Sequence, residues 1–128
     1  MTTANPEGVT MFRISVGAAA ALLLLTATAQ AGDPPAAFNQ CKACHRVDAG
    51  KNAIGPSLFG IVGMKAGSVA GYQYSPAMKT SGLTWDEATL SQYLTNPKSI
   101  VPGSKMVFAG LKRPEDVTAV IAYLKTLR

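Results

Sequence analysis

Both cysteines and the one histidine of this chain fall within five residues, Cys41-Lys42-Ala43-Cys44-His45, and this cluster constrains the fold more than any other feature. A C-x-x-C-H run reads as a haem c attachment site. Cysteines three apart lie on one side of a helical turn, so both sulfurs can bond to the two vinyl positions of one porphyrin edge. His45 then stands where its imidazole reaches the iron. A structural disulfide gives His45 no role. A thioredoxin-like dithiol needs a βαβ setting, which the sequence lacks. A structural zinc site needs four ligands, and no fourth Cys or His exists.

The N-terminal stretch reads as an export signal. Arg13 precedes the apolar run Ile14–Leu25, and Ala29-Gln30-Ala31 fits a small-residue cleavage site before Gly32. Residues 1–31 therefore read as a signal peptide, leaving one domain over residues 32–128. The alternative is an uncleaved anchor, because the uncharged stretch Ile14–Ala31 is at the lower edge of a membrane span. A domain of this size buries a small core and gains from a staple such as a large bound group. The chain's net charge of +5 resides in that domain, since the leader holds one base, Arg13, and one acid, Glu7. Basic tracts interleaved with aromatics are absent, so nucleic acid is not an expected partner.

Hydrophobic periodicity places the elements. Asp33 before Pro34 and Pro35 predicts a capped helix running into Cys44. The glycine-rich stretch 46–71 reads as a loop wrapped around something. A short helical segment is expected from Ser75 to near Gly82. Thr84-x-x-Glu87 predicts a capping box, followed by Leu90, Tyr93 and Leu94 on one face until Pro97 stops the helix. Pro114 opens a final helix with Glu115 and Asp116 opposing its dipole. There Val117, Val120, Ile121, Leu124 and Leu127 form one stripe. No alternating run suggests a sheet, so the expected class is all-α with large loops.

Iron held by His45 alone would leave a position open to gas or peroxide chemistry, whereas a methionine in the sixth position favours electron transfer. Residues 32–128 offer Met64, Met78 and Met106, and with no second histidine bis-His ligation is excluded. A methionine is more often core filling than a ligand. Met106 has a modest lead because Pro102 and Gly103 make a turn that frees its side chain to project from a loop. Local chemistry takes the choice no further.

Several segments in order widen the evidence: CKACH, then GPSLFG at 55–60, YSPAMKTSGLTW at 74–85, YLTNPKSIVPGSKMVFAGL at 93–111 and IAYLK at 121–125. In these the chain resembles the class I c-type cytochromes, the small mitochondrial and bacterial periplasmic members, over nearly all of residues 32–128. The resemblance implies a cytochrome c-like fold of a few short helices and long loops around one covalent haem c. It implies that His45 and Met106 are the axial ligands, and that the Pro56 carbonyl accepts a hydrogen bond from His45. Tyr74 and Trp85 match residues that hydrogen-bond haem propionates, Ser104 takes a hydroxyl-bearing threonine position, and Tyr93 matches the tyrosine beside the methionine ligand. Two positions depart from the pattern: Met64 stands where many members have an arginine near the propionates, and Met78 where they have an asparagine near the haem. The segment before Cys41 is also shorter than usual, which predicts weaker packing between the first and last helices, where Ala37 or Phe38 is expected to meet Val120 or Tyr123.

The function implied is a monomeric, periplasmic single-electron carrier, not an enzyme, meeting acidic redox proteins or membrane electron-transfer complexes in transient, salt-dependent encounters. Lys98, Lys105, Lys112 and Arg113 lie in segments that the family places around the exposed haem edge, and Lys42 lies inside the attachment motif. A haem sensor or peroxidase-like enzyme, with Met106 displaced by a small ligand, is the competing class. A subunit docked permanently to a dehydrogenase is a third.

Overall fold

The computed structural model describes residues 31–128; the expected signal peptide lies almost wholly outside them. Chain direction at the start is set by Pro34 and Pro35. Proline holds the residue before it in extended geometry, and Pro35 is itself extended, with φ −66° and ψ 157°. A single 3-10 turn therefore begins only at Ala36–Phe38 and passes into helix α1, Asn39–Lys42. The cap expected at Asp33 does not form, since no side chain caps this start. Turn bonding continues past α1, with the Cys44 and His45 N–H groups both donating to the Cys41 carbonyl at 3.1 and 2.9 Å. The whole attachment motif is thus held in helical register.

Residues 46–71 form the expected wrapped loop, knit together by its own polar groups. Ser57 donates to the Asp48 carbonyl at 2.6 Å, and Asn52 accepts from the Ser57 N–H while donating to Ala70. Helix α2, Pro76–Lys79, starts as expected at Ser75, whose hydroxyl accepts from the Met78 N–H.

Helix α3, Glu87–Thr95, corrects the predicted cap. Asp86, not Thr84, is its N-cap, and its carboxylate accepts the Thr89 N–H at 2.7 Å. Thr84 is used elsewhere, in an isolated antiparallel bridge with Lys65, flanked by a Trp85 N–H bond to the Met64 carbonyl. Backbone pairing two residues upstream leaves the helix to begin after it. Pro97 ends α3 but also opens helix α4, Pro97–Ile100, because its fixed φ suits a first helical position. Helix α5, Pro114–Leu124, starts at Pro114 with Glu115 and Asp116 in its first turn, as read from sequence.

The predicted stripe is the core. Val117, Val120, Ile121, Leu124 and Leu127 are all buried, and α5 packs on α3 and on the 36–38 turn. Phe38, fully buried, meets Tyr123 edge to face with ring centroids 4.6 Å apart. The short N-terminal segment therefore still delivers an aromatic anchor to α5. Gly32 N–H donates to Thr126 Oγ1, tying the start of the domain to its end. Among the described residues there is no strand, and no helix is long and apolar enough to cross a membrane.

Candidate functional site

One cleft gathers every site residue named from the sequence: Cys41, Cys44, His45, Pro56, Tyr74, Trp85, Tyr93, Ser104 and Met106. It encloses about 1260 Å³ of atom-free space, including its open mouth. Its inner walls are apolar, with Phe38, Leu58, Ile61, Leu90, Leu94, Val120 and Leu124 among them, and no carboxylate lines it.

His45 is fixed first. A carbonyl can only accept, so the 2.7 Å contact between His45 Nδ1 and the Pro56 oxygen means that Nδ1 carries the proton. Burial lowers the pKa of His45 below its ordinary value, partly offset by that hydrogen bond. The neutral ring therefore presents Nε2 as a lone pair, the state a metal ligand needs. Gly55 makes room for it: a Cβ there would lie 2.5 to 2.9 Å from three atoms of the His45 ring. Gly55→Ala is expected to tilt the imidazole and weaken its Pro56 bond. A shifted Soret spectrum and a lower yield of haem-bearing protein would check this; wild-type values for both would show that the ring yields freely.

The thiols of Cys41 and Cys44 border the same cleft. Burial pushes the Cys41 thiol up to about 11, so at neutral pH it is protonated and a poor nucleophile. Bond formation there calls for a catalyst that activates the sulfur.

Met106 is held from two sides. The Tyr93 hydroxyl donates to its sulfur at 3.2 Å, and its own N–H donates to Ser104 Oγ at 3.3 Å. Burial raises the Tyr93 pKa, an effect reduced by the Ser104 hydroxyl, so Tyr93 keeps the proton it donates. Ser104 thus braces the methionine loop. Tyr93 also packs against Trp85 at 4.7 Å between ring centroids. Tyr74 accepts the Val69 N–H at 3.1 Å, which leaves its own hydroxyl proton to donate. Burial is the main cause raising the Tyr74 pKa.

The other two methionines differ in place. Met78 is buried and lines the cleft, whereas Met64 packs, half-buried, against the core and does not line it. Of the basic residues named from sequence only Lys105 lines the cleft mouth. Arg113 pairs with Glu115 at 2.6 Å, which offsets its charge, and Lys112 donates to the Ala109 carbonyl.

The residues fit a haem: a wide apolar cleft, two thiols at one border, a neutral imidazole with Nε2 unprotonated and a thioether in the same cavity. A sequence model described as cytochrome c matches residues 31–128. The chain belongs to the cytochrome c family. Cytochrome c2 iso-2 of Magnetospirillum fulvum is 63% identical over 95 residues, 74% of this chain and 99% of that protein. Cytochrome c2 of Rhodomicrobium vannielii is 53% identical over 121 residues, 91% of this chain and 97% of that protein. Among solved structures, cytochrome cH from Methylobacterium extorquens superposes with a TM-score of 0.66 at 56% identity, covering 70% of this chain and 91% of that one. As a cytochrome c, the protein carries one covalent haem c and transfers electrons rather than catalysing a reaction.

Sequence reasoning missed two residues that shape this cytochrome's cleft. Gly55 was visible only as part of a longer motif. Tyr72, which also lines the cleft, had no local signal beyond being an aromatic two residues before Tyr74.

Proposed function

We propose that Cys41 and Cys44 hold the haem by thioether bonds, that His45 Nε2 and Met106 Sδ are its axial ligands, and that the protein is a mobile carrier of single electrons between redox complexes. The observation that carries this reading is the pair of fixed ligand atoms in one cleft: His45 with Nδ1 committed to Pro56, and Met106 with its sulfur oriented by Tyr93. The bound haem supplies a one-electron ferric/ferrous couple. The apolar walls disfavour the extra positive charge of the ferric state and so raise the potential. Tyr93 acts in the same sense, since a hydrogen bond to the sulfur weakens its donation to ferric iron. Tyr74, Trp85 and Ser104 serve the propionates or their surroundings.

A pyridine haemochrome spectrum together with intact mass, on protein from an export-competent host with attachment machinery, tests the site. One thioether-linked haem and a polypeptide beginning near Gly32 are expected; unmodified thiols would end this reading. Loss of residues 1–31 would also support a periplasmic location, whereas their retention would favour the membrane-anchored form.

Partners are redox proteins or complexes with acidic faces. Lys42, Lys98, Lys105 and Lys112 supply the attraction, Lys105 directly at the cleft mouth, with Arg113 reduced by Glu115. Two exposed apolar side chains, Ile54 and Val107, also border the cleft, giving a short-lived docking patch its dry centre. Electron transfer to an acidic partner is expected to slow several-fold between about 10 mM and 200 mM salt, as the Debye length falls from about 30 Å to below 10 Å. Stopped-flow rates that ignore ionic strength would remove the steering role.

A further inference from the structure

The two sides of the cleft are built from separate loops. Residues 52–57 carry Gly55 and Pro56 against His45, and residues 102–110 carry Met106. Tyr72 touches both. Its hydroxyl donates to the Ile54 carbonyl on the first loop at 2.8 Å, and the Lys105 ammonium of the second loop lies 5.1 Å from its ring centroid. The ring is set in place by Tyr74, packed against it edge to face at 4.8 Å between centroids. Tyr74 is itself anchored by the Val69 N–H. Tyr72, Ile54 and Lys105 all line the cleft at its mouth.

We propose that Tyr72 is a positioning residue, a clasp that holds the Met106 loop against the His45 side through its Ile54 hydrogen bond and its face toward Lys105. This rests on the reading of Met106 as the distal ligand. A competing ligand reaches the iron only when the methionine loop swings away, so its apparent affinity scales with the fraction of molecules in which the loop is open. Weakening the clasp raises that fraction without touching either axial ligand. The exposed cation–π contact alone accounts for a few-fold effect, and the hydrogen bond for a similar factor.

The test titrates the ferric haem-bearing protein with imidazole at constant neutral pH, following the iron–sulfur absorption band at the red end of the spectrum. Tyr72→Leu is expected to raise apparent imidazole affinity about fivefold or more, and Tyr72→Phe, which keeps the ring face, by less. Lys105→Gln is expected to raise it two- to fivefold in the wild-type background and not at all on top of Tyr72→Leu, because the two share one contact. Affinity within twofold of wild type in Tyr72→Leu would overturn the clasp. So would full multiplication of the Tyr72→Leu and Lys105→Gln effects. Should Tyr72→Leu fail to mature, Tyr72→Phe and Lys105→Gln, each tested singly, still decide. Absence of the band from the wild-type protein would instead refute the Met106 assignment, leaving the two failures distinct.

Discussion

Met106→Ala is expected to abolish the iron–sulfur absorption band, open the reduced iron to rapid carbon monoxide binding and lower the reduction potential by on the order of 0.1–0.3 V, within the roughly 0.8 V range that axial ligands span. Thioether ligation favours the ferrous state. Removing it leaves water or another hard donor that favours ferric iron. At about 59 mV per factor of ten for one electron, the lower figure is already near a fifty-fold change in the oxidation equilibrium. The comparison that gives the result meaning is with the other two methionines. Met78→Ala removes a side chain only 7% exposed and should cost about 2–4 kcal/mol of stability through the cavity it leaves. Met64→Ala, at a half-buried position, should cost less. Both should retain the band and most of the potential. Visible spectra and redox titration of the three variants check this. A retained band in Met106→Ala, or its loss in Met78→Ala, would move the sixth ligand to another sulfur.

The three methionines also show where sequence stops being informative. Each stands in an ordinary local context, and the local chain gave Met106 only a turn at Pro102 and Gly103. What distinguishes it is a hydroxyl thirteen residues earlier, on α3, aimed at its sulfur. The attachment motif was legible because its chemistry lies within one helical turn, and the α5 stripe because its periodicity is local. Site residues Pro56, Tyr74, Trp85, Tyr93 and Ser104 were legible only through resemblance, though all of them meet in one cleft. Capping failed where two signals competed. Thr84 and Asp86 both suit a helix start, and backbone pairing with Lys65, set by the fold, decided for Asp86. Gly55 and Tyr72 were missed because their roles exist only where distant segments approach: a ring against a backbone, a hydroxyl on a carbonyl eighteen residues away.

Gly110→Ala is expected to be the most destabilising glycine substitution in the domain, costing about 2–5 kcal/mol. Two effects combine there. The residue has φ +98°, a region where a Cβ is strained by roughly 1–2 kcal/mol. A Cβ would in addition be driven into the Thr95 carbonyl oxygen and carbon, rigid backbone at the end of α3. Overpacking of that kind costs typically 1–3 kcal/mol more. The chain cannot simply back away, because the neighbouring Leu111 N–H donates to the Leu94 carbonyl at 2.7 Å and Leu111 is buried. Relief must come from moving α3 or the segment carrying Met106. For a domain of this size the expected fall in Tm is about 8–40 °C, since the loss is a large part of a total stability of roughly 5–15 kcal/mol. Gly82→Ala is the control: its φ is +69°, but an added Cβ meets nothing within 4 Å, so only the backbone strain remains. Thermal unfolding of the two haem-bearing variants separates conformational strain from steric exclusion. Equal losses would mean that the Thr95 contact relaxes at no cost. A larger loss in Gly110→Ala, with a weakened iron–sulfur band, would show that the close approach to α3 also sets the reach of the methionine loop.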